Sequence, residues 1–169
     1  FILSGFVIGY AYDDRWKKMS MGDFFKRRLV RLHPMVIMGV ILGTITFCIQ
    51  GAEQWDGTKI SISMIMVAML LNMFMIPNVP GASCEVRGNG EMFPLNGPSW
   101  SLFFEYIANI MYAIFLRRLS NKALVAFTCL SGLGLLAFAI ADMPGYGSLG
   151  VGWTLADGNL LGGFLRVTF

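Results

Sequence analysis

The 169 residues include 13 Lys or Arg against 10 Asp or Glu, a formal net charge of +3, with 56% hydrophobic residues, 14% charged residues and a mean hydropathy of +0.63. That apolar balance excludes an ordinary water-soluble domain, and so slight a basic excess, gathered in clusters, excludes a nucleic-acid surface. The chain reads as an integral membrane protein, all-α, whose basic groups serve lipid headgroups or a localised anion site.

Residues 1–12 are apolar until Asp13-Asp14-Arg15 interrupts them. Without an initiator Met or a secretory-signal pattern, Phe1 is expected to lie inside a helix, so 1–169 reads as a single domain truncated at both ends. Ser20 can cap a short helix reaching Leu32, with Asp23 suiting its positive N-terminal dipole. On that helix Phe25, Leu29 and Leu32 form an apolar stripe, and Arg28 and Arg31 stand three apart on a neighbouring face. Two adjacent guanidiniums make a fork for phosphate; alternatively, Lys26, Arg27, Arg28 and Arg31 are anchors against lipid headgroups. His33, the sole histidine, stands before Pro34 as a helix-end polar group with no acid or nucleophile nearby in sequence to orient it.

Crossing the hydrocarbon takes about 20 mostly apolar residues as a helix. Residues 34–49, 60–76, 100–116 and 123–141 approach that length, and a further stretch from about 160 is still apolar at Phe169. The expectation is a polytopic bundle of four complete and two truncated membrane helices. Gly39 and Gly43, spaced four apart, suit close helix packing. Residues 77–99, rich in Gly, Pro and Asn, read as a functional loop over a cavity.

In the fourth stretch Pro98 precedes a helix that Ser99 is placed to cap, and Trp100 suits the membrane interface. Ser101, Glu105, Asn109 and Tyr112 then share one side of the helix. A carboxylate in such a segment is either paired to a buried cation or part of a catalytic cavity. Cys48, Cys84 and Cys129 read as free thiols, with no metal-ligand or redox spacing among them.

Charge also constrains topology. Residues 13–33 carry seven Lys or Arg and are expected to be cytoplasmic. Three complete crossings then place Arg117, Arg118 and Lys122 outside, against the same rule. Either 60–76 does not fully span, or the larger cluster dominates orientation.

Four blocks in order resemble the acyltransferase-3 family of integral-membrane O-acyltransferases. Phe1-Ile2-Leu3-Ser4-Gly5-Phe6-Val7-Ile8 is similar to its Ser-Gly-Phe helix, residues 24–34 to its Arg-x-x-Arg block, residues 97–106 to its Trp-Ser-Leu-x-x-Glu helix, and Arg166 to Phe169 to the start of a later Arg-x-x-Phe segment. The resemblance is dense up to about Leu116 and thin beyond it. It implies transfer of an acyl group, typically acetyl, from a cytoplasmic acyl-CoA to a hydroxyl of a saccharide or lipid-linked glycan, in the plasma (inner) membrane. Arg28 and Arg31 would contact the donor, Glu105 would support catalysis, and Ser4, Gly5, Phe6, Trp100 and Ser101 would shape the reaction centre, Gly5 by allowing close backbone approach. The family's catalytic histidine belongs to a helix before the Ser-Gly-Phe block, upstream of Phe1, so residues 1–169 alone are expected to be inactive. The rival classes are an ion or anion transporter, which would work without acyl-CoA, and a purely structural bundle, which would tolerate neutralising Glu105 and Arg31 together.

Overall fold

The computed structural model describes residues 2–79, 81–82, 84–142, 152–155 and 159–169, with side chains from Gly5 onward. Six α-helices follow in order: α1 (Ile2–Tyr12), α2 (Met21–Ile49), α3 (Ile62–Met73), α4 (Ser99–Ile114), α5 (Asn121–Ala141) and α6 (Asn159–Thr168). Three described helices are long and apolar enough to cross a membrane: α2, α4 with its continuation to Arg118, and α5. The architecture is the expected helical membrane bundle, with one complete crossing fewer than the four read from sequence.

The missing crossing is residues 60–76. Only 12 of them become helical, in α3, and at 1.5 Å per residue such a helix rises about 18 Å, well short of a hydrocarbon core of about 30 Å. A backbone that stops at this depth must find polar partners from the protein itself. Backbone turns close the end of α3, with Phe74 N donating to Leu70 O at 3.2 Å and Ile76 N to Leu71 O at 2.9 Å, and the fully buried Asn72 ties the following segment to it: its Nδ2 donates to Asn78 Oδ1 at 2.8 Å and its Oδ1 accepts from Leu95 N at 3.3 Å. Asn78 Nδ2 in turn donates to Cys84 O. The chain therefore turns back after α3 instead of continuing across.

α2 is longer than expected. The predicted short helix and the first crossing are one element of 29 residues, capped as the sequence indicates: Ser20 Oγ accepts from Asp23 N at 3.1 Å, and Asp23 Oδ2 accepts from Ser20 N at 3.2 Å. Pro34 lies inside it on an exposed face, and its ring removes one backbone donor without ending the helix; membrane helices tolerate such prolines. His33 is therefore mid-helix rather than at a helix end. The buried stripe is also different: Phe24, Arg28, Leu32, Val36, Val40 and Phe47 face inward, while Leu29 is exposed. Arg28, not Leu29, occupies the core face because a part-buried acid awaits it on α4.

α4 packs antiparallel to α2, bringing Tyr112 to within 5.9 Å of Phe24, ring to ring. Phe24 is fully buried and also meets Tyr12 at 4.9 Å and Trp16 at 5.2 Å. Edge-to-face and tilted pairs of this kind add about 0.5–1.5 kcal/mol each beyond area burial. They tie the 13–20 turn to the start of α2 and the end of α4. Ser99 opens α4 without capping it, since its side chain makes no capping bond and Pro98 holds the cap position.

At the other end, residues 77–98 fold inward as a plug. Cys84, Val86, Met92, Phe93 and Leu95 are buried, and Phe47, Ile60, Ile65 and Ala68 from α2 and α3 share one apolar cluster with Cys84, Val86 and Leu95. Arg87 lies over the rings of Phe47 at 5.1 Å and Trp55 at 5.7 Å, and donates through Nε to Pro94 O at 2.9 Å. The Gly39 and Gly43 pair serves this plug rather than a second helix: a Cβ on Gly43 would stand 1.6 Å from Leu95 O, and one on Gly39 would stand 2.5 Å from Asn96 Nδ2. α6 docks on α4 by the same device, because a Cβ on Gly163 would meet the Phe104 ring at 2.1 Å. α5 buries only Phe138, consistent with a helix that faces lipid.

Candidate active site

Seven residues into its length, α2 aims Arg28 at α4, where Glu105 faces back. Arg28 Nη2 donates to Glu105 Oε1 at 2.8 Å, with Arg28 3% exposed. Both charges are thus compensated where neither could remain alone at modest cost. Further polar atoms surround the pair. Asn109 Nδ2 donates to Glu105 O at 2.6 Å, while Arg28 Nε, Tyr106 OH and Asn109 Oδ1 are buried without a partner among the described residues. Buried donors and acceptors are rarely left unpaired, so this half-satisfied set is a place for a bound polar group or water.

Beyond Glu105 opens a cavity of about 550 Å³, within the usual range for small-molecule sites. Gly5 and Phe6 of α1, Glu105 and Tyr112 of α4, Phe127 of α5 and Phe169 after α6 all line it. Gly5 makes no close backbone approach; no atom lies within 4 Å of where its Cβ would stand, and the space belongs to the cavity. The Ser4 side chain lies outside the described residues. Glu105 therefore satisfies both sequence readings of it, as the partner of a buried cation and as a wall of a cavity.

The arginine fork does not form. Arg28 turns inward to Glu105, and Arg31, exposed, is not on the cavity wall. A different cation is. Arg117, just past α4, rests on the Trp16 ring at 4.1 Å and donates through Nε to Ala113 O at 2.6 Å, and it lines the cavity with Trp16 and Asp13. Trp16 Nε1 donates to Tyr112 OH at 3.1 Å, and Tyr112 OH donates to Asp13. This cluster joins the two basic segments at one end of the bundle, which removes the topological conflict: with 60–76 not spanning, Arg15, Lys17 and Lys18 share an end with Arg117 and Arg118.

Trp100 and Ser101 lie away from this cavity. Ser101 Oγ donates to Pro98 O at 2.9 Å, a local bond. Trp100 lines a second depression of about 270 Å³ with Glu91, Phe93, Gly97 and Trp153. It lies at the α4 N-terminus, the opposite end from Arg117. There the plug is joined to the later chain, with Met92 N donating to Trp153 O at 2.9 Å and Leu155 N to Gly90 O at 3.2 Å. Residues 77–98 thus border this second depression and do not cover the first.

The model of an acyltransferase domain matches residues 1–164. The chain belongs to the acyltransferase-3 family. It is also similar to the protein called "Protein 2 in picA locus" of Rhizobium radiobacter, 29% identical over 147 residues that span 82% of this chain and 74% of that protein. No solved structure matches the chain. Within this acyltransferase the three strongest sequence blocks meet around one ion pair: the Ser-Gly-Phe helix and Glu105 face the cavity, and the Arg-x-x-Arg block supplies Arg28 behind it. Asp13, Trp16 and Arg117 were missed as cavity residues, because their signal lies in contacts about a hundred positions apart rather than in local spacing.

Proposed function

We propose that this membrane acyltransferase moves an acyl group, typically acetyl, from acyl-CoA to a hydroxyl of a saccharide or lipid-linked glycan, with the donor entering at the basic end and the acceptor at the end of the Trp100 depression. The observation that carries the reading is the joining of Glu105 to both Arg28 and the cavity wall. Acyl transfer to an alcohol requires the hydroxyl oxygen to attack the thioester carbonyl, its proton to pass to a base, and the coenzyme A sulfur to leave with the electrons of the broken C–S bond and take up a proton. A carboxylate fixed by a guanidinium can orient that hydroxyl without drifting, which is a positional contribution. No histidine lines the cavity among the described residues.

Two further features support the placement. The shared basic end suits a phosphate-bearing cytoplasmic donor. At the other end, indole and phenyl faces beside the Glu91 carboxylate suit a sugar, whose C–H faces pack on rings while its hydroxyls donate to oxygen. In this arrangement Arg28 acts through Glu105.

The test is acyl-CoA consumption by the full-length protein in membranes, matched to an O-acylated glycan product. Glu105→Gln should lower turnover at least about 100-fold, the usual scale for a lost positioned catalytic group. Thioester consumption without an acylated product, or solute movement that is independent of acyl-CoA, overturns the reading.

A further inference from the structure

We propose that Arg117, seated on Trp16, is the principal cation for the phosphate-bearing nucleotide end of the donor, an assignment that rests on the acyl-CoA reading above. The geometry distinguishes it from the other basic residues. Arg28 is committed to Glu105. Arg31 is exposed and off the cavity wall, whereas Arg117 is on it. Its Nε is tied to Ala113 O, and one face of its guanidinium is held against the Trp16 ring. Its two terminal nitrogens have no partner among the described residues. A guanidinium oriented by an indole and a backbone carbonyl, with its terminal edge unused, loses little freedom on taking a phosphate.

The neighbouring charge supports this role. Asp13 is the acid closest to this end of the cavity, and it accepts from the Tyr112 hydroxyl, which itself accepts from the Trp16 indole. The acid is therefore engaged by a hydrogen-bonded chain while Arg117 is turned to a ring, so the wall offers a cation without a salt bridge across it. Asn121, on the same wall, adds an amide that can pair with a base edge, and the apolar side chains Leu116, Leu119 and Leu124 line the same end of the cavity. A purine bisphosphate matches that combination of a cation, an amide and apolar surface. An anionic lipid headgroup shares the phosphate chemistry and is the other source to be separated.

The experiment compares binding of adenosine 3′,5′-bisphosphate with adenosine by the full-length protein in zwitterionic nanodiscs and in nanodiscs containing phosphatidylglycerol. Wild type should prefer the bisphosphate at least tenfold, in both bilayers. Arg117→Ala should abolish that preference and raise KM for acyl-CoA about tenfold or more with KM for the acceptor unchanged. Arg117→Lys should retain part of it, and the exposed Arg118→Ala all of it. If Arg117→Ala keeps the wild-type preference and KM while wild type turns over acyl-CoA, the assignment is overturned and the acyltransferase reading stands. A bisphosphate preference that disappears in phosphatidylglycerol discs identifies Arg117 as a lipid anchor and likewise overturns it. Wild type that neither binds the bisphosphate nor consumes acyl-CoA defeats both.

Discussion

Removing either member of the Arg28–Glu105 pair should cost far more than removing both. With N···O at 2.8 Å, the charge centres stand about 4 Å apart, and at an effective dielectric of about 20 their attraction is about 4 kcal/mol. Most of that offsets desolvation, so the intact pair adds little net stability. Deleting one partner leaves the other charge unpaired inside the bundle, at about 3–5 kcal/mol. Arg28→Met and Glu105→Leu should each lose that amount, whereas the double variant, which replaces the pair with apolar side chains of similar volume, should sit within about 1–2 kcal/mol of wild type. The assay is reversible unfolding of each protein in mixed micelles of increasing SDS content, followed by helicity, with the coupling taken from the double-mutant cycle. Those losses imply a coupling of at least about 4 kcal/mol. Additive losses, or single variants as stable as wild type, would refute the claim that these groups neutralise each other inside the bundle.

Other outcomes follow from the same contacts. Gly43→Ala should destabilise by about 3 kcal/mol or more, because its Cβ meets backbone at Leu95 O, whereas Gly39→Ala meets only the movable Asn96 amide and should cost less than about 1.5 kcal/mol; SDS unfolding separates the two. In sealed vesicles of a cysteine-free background, Lys18→Cys and Lys122→Cys should react with a membrane-impermeant maleimide from the same side, and Asn89→Cys from the other. Opposite-side labelling of the first two would restore α3 as a full crossing. Trp100→Ala should raise KM for the glycan acceptor about tenfold, with KM for acyl-CoA unchanged, in initial-rate kinetics.

The sequence was most legible where periodicity is local. The apolar spans that became α1, α4 and α5 stand within two residues of their expected bounds, and the Ser20–Asp23 capping box depends on only four consecutive residues. It was least legible where partners are distant. Arg28 belongs on the core face only because Glu105 faces it from 77 positions away, and a stripe drawn from α2 alone assigns that face to Leu29. Residues 60–76 are apolar enough to span, yet the pairing of Asn72 with Asn78 and Leu95 turns the chain back, and hydropathy does not register one buried amide. Pro34 marks a boundary by its restricted backbone, but the helix continues past it because an apolar surround leaves no water to compensate an unwound turn.

The half-depth α3 also decides where the two substrates can enter. Were 60–76 a complete crossing, α4 would start at the basic end and finish at the other, and Arg117 could not reach Trp16. Because the chain turns back, α4 returns to the end where α2 begins, and two basic clusters that a crossing would separate share that end, where Arg117 rests on the Trp16 ring. The plug at residues 77–98 is the counterpart of that return. It packs against the incomplete helix, is tied to it through Asn72 and Asn78, and presents Glu91 and Phe93 beside Trp100. The same packing that closes the bundle therefore gives it two chemically unlike ends, one cationic and one aromatic with a carboxylate, with the Arg28–Glu105 pair between them.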